Sequence, residues 1–165
     1  MHTRKHPFRQ QADYWRARHP ELARGSLLLR DYAIHGRDPF WHFHPEVELI
    51  EILAGAGAGF VGDAIVHPRP GNLFLIGEGL PHSWHNDPRA PRPMGTRVLQ
   101  FHPGIFGNLL EANRDLAPIA ALLHRARGGL ELTGRARRTG LEWMEQAMRQ
   151  TPGDPRRFSG LLALL

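Results

Sequence analysis

The chain has no cysteine. Disulfides are excluded, and so is any thiolate metal site, so a bound metal needs His, Asp or Glu ligands. No stretch approaches the roughly 18 consecutive apolar residues of a membrane-spanning helix. Residues 1–24 are polar and basic and lack the apolar core of a secretory signal, so no membrane partner and a cytoplasmic location are expected. Lysine is nearly absent: Lys5 is the single lysine among 21 basic residues, and the rest are arginine. The net charge of +5 is one footprint of nucleic-acid binding. These arginines are scattered, however. Only Arg135, Arg137 and Arg138 form a tight group, which reads as the solvated start of a helix. No internal repeat and no low-complexity tract is present. What remains is 165 residues, 41% hydrophobic and 22% charged, an ordinary balance for one domain with a real core.

Three zones follow from the patterning. Residues 1–24 form a polar arm with a short helix expected over 10–18. Residues 25–103 read as β. Short apolar runs over 26–34, 47–54, 58–61, 64–67, 72–76, 82–86 and 96–102 are separated by Gly55-Ala56-Gly57, Gly62-Asp63, Pro68-Arg69-Pro70-Gly71 and Gly77-Glu78-Gly79. Glycine supplies positive φ and proline presets φ, so these are turns. Many short strands with such turns predict a mainly β sandwich, jelly roll or barrel. Residues 104–165 read as helical. Leu116, Ile119, Ala120 and Leu123, then Leu141, Met144, Ala147 and Met148, then Phe158, Leu161, Leu162 and Leu165 recur at helical spacing. The Met144/Met148 pair reads as core. The last stripe stops without a Gly or Asn cap, which suggests a chain that continues.

The densest chemical signal is Trp41-His42-Phe43-His44-Pro45-Glu46-Val47-Glu48. Strand side chains alternate between faces, so His42 and His44 point the same way, and Glu48 lines up with Ile50 and Ile52. A carboxylate on an apolar face needs a proton, a partner or a metal. Imidazole and carboxylate together suit Zn, Ni, Fe or Mn. Pro45 interrupts the ladder, and a bend there would bring Glu46 inward instead; the spacing favours Glu46 as a surface or rim residue. In Leu80-Pro81-His82-Ser83-Trp84-His85-Asn86, alternation puts His82, Trp84 and Asn86 on one face. An inward His82 completes a His₃Glu set. Trp41, Trp84 and Asn86 are effector-pocket candidates, because barrel mouths bind ligands through aromatic walls. His85 and His102 read as wall or surface residues. The bland alternative for the whole set is polar lining that bonds the barrel wall and holds no metal.

These spacings resemble a known family. Gly36, five residues, His42, one residue, His44, three residues, Glu48, six residues and Gly55 are similar to the first signature of the cupin superfamily. Gly71, five residues, Gly77, Glu78, Gly79, two residues, His82, three residues and Asn86 are similar to the second, with Gly77 where that family usually has proline. The resemblance covers about residues 36–86. It implies a double-stranded β-helix, a jelly-roll barrel followed here by α-helices, with His42, His44, Glu48 and His82 in the metal-ligand positions.

A narrower likeness joins Trp41 to Glu48, Gly71 to Gly77 and Leu80 to His85 with Leu122-Leu123, Ala126 and Gly129-Leu130 before a basic helix. It resembles the sensor domain of AraC-type transcription regulators; Leu132, where an aromatic is expected, is a minor departure. That resemblance implies a small-molecule effector and a homodimer paired through helices 104–165. It also implies DNA contact only through a C-terminal segment absent from this chain. The competing expectation is a stand-alone cupin metalloenzyme of the dioxygenase, isomerase or decarboxylase type. Against it, no second acid or base is evident inside the barrel.

Overall fold

The computed structural model describes residues 27–34 and 41–165. The polar arm, the helix expected over 10–18 and Gly36 of the first signature lie outside the described residues. Eight strands are described: β1 (Leu28–Ala33), β2 (Val47–Ala54), β3 (Gly57–Val61), β4 (Ala64–Val66), β5 (Leu73–Ile76), β6 (His82–Asn86), β7 (Gly95–Phe101) and β8 (Leu130–Leu132). Four α-helices occupy the second half: α1 (Leu109–Ala112), α2 (Ala117–Ala126), α3 (Gly134–Met148) and α4 (Pro155–Leu164).

The strands form two antiparallel sheets, ordered β1-β7-β2-β5-β8 and β4-β3-β6. Backbone bonds tie the segment before β2 to the second sheet: His42 and His82 exchange N–H···O bonds of 3.0 and 2.8 Å. Gly62 N–H donates to Pro81 O at 2.8 Å, extending the β3–β6 pairing. The chain turns between sheets where glycine allows it. Gly55 has φ 78°, and a Cβ there would sit 2.5 Å from the Pro93 carbonyl oxygen. Only glycine tolerates both that conformation and that approach.

Period-2 alternation sorts the sheet residues into two cores. Ile50, Ile52, Phe74, Ile76, Trp84 and Val98 face inward and fill the barrel with Val61 and Met94. Val47, Leu49, Leu73, Leu75, Leu99 and Phe101 face outward and pack with Phe106, Ala126, Met144 and Leu161. The helices therefore cover the outer face of the five-stranded sheet. Their apolar stripes supply the contact: Gly140, Met144 and Ala147 are buried on α3, and Leu161 on α4. Arg157, also buried, donates through Nε and Nη2 to Ala147 O at 3.1 and 2.9 Å, satisfying a carbonyl at the end of α3.

One expectation needs correction. The zone 104–165 is not wholly helical. Leu130–Leu132 forms β8 and pairs with β5, Leu73 opposite Leu132. It covers a sheet edge that would otherwise present unpaired backbone groups.

Candidate functional site

The structure brings His42, His44, Glu48 and His82 together at one end of the barrel interior. The His42–His82 backbone bridge sets two of the imidazoles with ring centroids 4.3 Å apart. His44 lies 5.7 Å from His42 and 5.3 Å from His82 by the same measure. One ring nitrogen from each of the three falls within 4.8 Å of the others. Glu48 enters from β2, whose inward face also carries Ile50 and Ile52. His44, Glu48 and His82 are all buried.

The hydrogen bonds fix which nitrogen His44 and His82 present. His44 Nδ1 bonds the Glu46 carbonyl at 3.0 Å, and His82 Nδ1 bonds the Leu80 carbonyl at 2.9 Å. A carbonyl only accepts, so each Nδ1 carries a proton. Both Nε2 atoms turn toward Glu48: His44 Nε2 is 3.0 Å from Oε2, and His82 Nε2 is 3.6 Å from Oε1. His82 Nε2 has no hydrogen-bond partner.

A neutral imidazole with a proton on Nδ1 presents a lone pair at Nε2. Such a lone pair beside a carboxylate calls for a proton or a cation between them. Burial works against charge on His44, but the hydrogen bond and charge of Glu48, with Glu46 adding to them, hold its pKa above the usual histidine value. Burial likewise pushes the Glu48 carboxyl up, and the bonds and charges from His44 and His82 more than offset it, holding it well below the usual range. Converging Nε2 and carboxylate donors, with Nδ1 groups anchored on backbone carbonyls, fit a Zn, Ni, Fe or Mn ion by donor type and by outer-shell support.

Two residues of this cluster were not assigned from sequence. Gln100, on the inward face of β7 and fully buried, donates through Nε2 to Glu48 Oε2 at 2.5 Å. Its Oε1 has no partner. A polar residue in register with Thr96 and Val98 was the available signal. Glu46 is the second, and it corrects the rim assignment. It is 4% exposed, and its unpartnered Oε2 lies 3.5 Å from His44 Nδ1. The chain folds back at Pro45 so that the Glu46 carbonyl caps His44, which draws the side chain inward.

The effector-pocket candidates separate. Trp84 lies in the barrel core, 5.3 Å from Phe74 by ring centroids, with its indole N–H unpartnered. Asn86 donates to Ile34 O at 2.5 Å and accepts from Met94 N at 2.7 Å, tying the end of β1 to the start of β7. Trp41 is 36% exposed. His85 lies beside Phe60, and exposed His102 accepts from Gly104 N at the following turn.

An antiparallel barrel with a His/Glu cluster at one end and helices against one sheet defines a cupin-type domain. The chain belongs to the family of AraC-like ligand binding domains, whose model matches residues 26–165. No curated protein sequence matches it. Among solved structures, ToxT from Vibrio cholerae is 9% identical, with 83% of this chain and 53% of that one covered and a TM-score of 0.52. DMSP lyase DddQ from Ruegeria pomeroyi DSS-3 is 25% identical over 48% of this chain and 40% of that chain, with a TM-score of 0.42. A cupin-2 domain protein from Rhodospirillum rubrum is 18% identical over 59% and 71%, also at 0.42. This chain thus spans about half of ToxT and less than half of DddQ.

Proposed function

We propose that this chain is the effector-sensing part of a DNA-binding transcription regulator, with a divalent metal held by His42, His44, Glu48 and His82. The observation that carries the metal assignment is the convergence of His44 Nε2, His82 Nε2 and the Glu48 carboxylate, both imidazoles being anchored through Nδ1. When bound, the ion supplies open positions for oxygen or nitrogen atoms of a small organic effector. Gln100 holds the Glu48 carboxylate. The family match supports the sensing role. DNA contact is assigned to a part of the regulator outside this chain, pairing of two subunits to the helices, and the working compartment to the cytoplasm. Sensing requires that the effector prefer one arrangement of barrel and helices over another.

A second reading, a cupin metalloenzyme, draws on Glu46, a buried carboxylate beside His44. Metal-loaded protein should be screened against small organic ligands by thermal shift, with His82→Ala as control. Mass spectrometry should then follow each ligand that binds. A saturable ligand recovered unchanged is the expected result. Conversion of that ligand to product would overturn the sensor assignment in favour of the enzyme.

A further inference from the structure

We propose that the turn over residues 77–80 couples occupancy of the His/Glu site to the C-terminal end of α2. The inference rests on the metal site proposed above and concerns how that site is read by the rest of the fold.

The turn touches the site on one side. Gly79 N–H donates to the His44 carbonyl at 2.8 Å. The Leu80 carbonyl accepts from His82 Nδ1 at 2.9 Å. Two of the four ligand residues are thus held by neighbouring positions of one turn. The bond to His44 is made at its main chain and the bond to His82 at its imidazole, so an ion that repositions the His82 ring or the backbone at His44 acts on Leu80 and Gly79.

The same turn touches the helix on its other side. Gly77 N–H donates to the Ala126 carbonyl at 2.7 Å. A Cβ on Gly77 would lie 2.5 Å from Ala126 C and from Arg127 N, so the turn is seated directly on the helix end. Glu78 pairs with Arg127 at the same junction. Ala126 O also accepts from Gly129 N–H at 2.9 Å, just before β8 returns to pair with β5.

This contact explains the departure at position 77. Proline, usual there in the resembling family, has no N–H to donate and would place a ring where backbone already lies. Glycine allows α2 to dock on the second signature motif itself. The helix end is therefore bonded to the turn that orients the His82 ring and holds the main chain at His44, and not merely packed on the outer sheet.

The test uses the full 165-residue chain and zinc alone as the probe. Zinc binding is measured by calorimetry, and amide exchange of Gly77, Gly79 and Gly129 by NMR, with and without zinc. Exchange at all three is expected to slow about five-fold or more in the loaded protein. Gly77→Pro is expected to bind zinc within about three-fold of the parent and to lose the response at Gly129. Zinc binding with unchanged exchange at Gly77 and Gly129 would overturn the coupling and leave the metal site standing. Absence of zinc binding would overturn both. A folded Gly77→Pro variant with the full response at Gly129 would also overturn the coupling. Should that variant not fold, the parent measurement decides alone.

Discussion

Replacing Glu48 by glutamine keeps the side-chain volume and removes the charge on which the cluster converges. Glu48 accepts from His44 Nε2 at 3.0 Å and from Gln100 Nε2 at 2.5 Å, and His82 Nε2 stands 3.6 Å away. In the metal-free protein, Glu48→Gln leaves those groups with a weaker, half-mismatched partner. Hydrogen bonds to a charged group contribute about 1.5–3 kcal/mol each, and these two share one carboxylate and do not add. A loss of about 2–4 kcal/mol is expected, or roughly 5–15 °C in melting temperature for a protein of this size. The assay is thermal unfolding by circular dichroism at neutral pH with a chelator present. The melt is then repeated with free zinc about 100-fold above the parent's Kd, where the parent gains about 2.7 kcal/mol. The variant is expected to lose most of that gain. A Glu48→Gln protein melting within about 2 °C of the parent in chelator, and gaining as much from zinc, would refute the reasoning.

Tyr32 carries a pH signature. Burial, with Arg30 opposing and Glu48 adding, pushes its phenol from 10.0 up to about 12. Its stabilising contribution is present below pH 10 and lost as pH rises through about 12. Near-ultraviolet absorbance should show one of the two tyrosines ionising late in folded protein and normally in urea; two equal ionisations near 10 in folded protein would contradict it. Met144→Ala removes a fully buried side chain between α3 and the outer sheet face. A loss of about 2–5 kcal/mol in urea unfolding is expected, and a cost below about 0.5 would show that the helices are not docked there. Gly55→Ala forces a side chain into left-handed backbone at φ 78° and against the Pro93 carbonyl. Its melting temperature should fall by an amount reflecting at least about 1–2 kcal/mol, and an unchanged melt would contradict the turn geometry.

Local patterning made much of this fold legible. Alternation along Glu48, Ile50 and Ile52 marked the inward face of β2, and the Gly/Pro punctuation marked the turns of the barrel. β8 was not legible, because three residues carry no periodicity and its register with β5 joins positions 55 to 59 apart. Gln100 was legible in principle, as a polar residue in phase with Thr96 and Val98, but its importance appears only once β7 lies beside β2. Glu46 misled because Pro45 breaks the alternation that would have placed it, and the backbone then folds its carbonyl onto His44. In the sequence Gly77 is only a glycine where the resembling family usually has proline. Its use depends on Ala126, 49 residues downstream, which no local pattern connects to it.

If His42, His44, Glu48 and His82 hold a divalent ion, the purified, tag-free protein carries it. Elemental mass spectrometry, with His44→Ala alongside, should find near-stoichiometric Zn, Ni, Fe or Mn in the parent and none in the variant. No metal in either protein, even after loading with each of those ions, would contradict that assignment and leave the four residues as polar lining of an organic effector pocket.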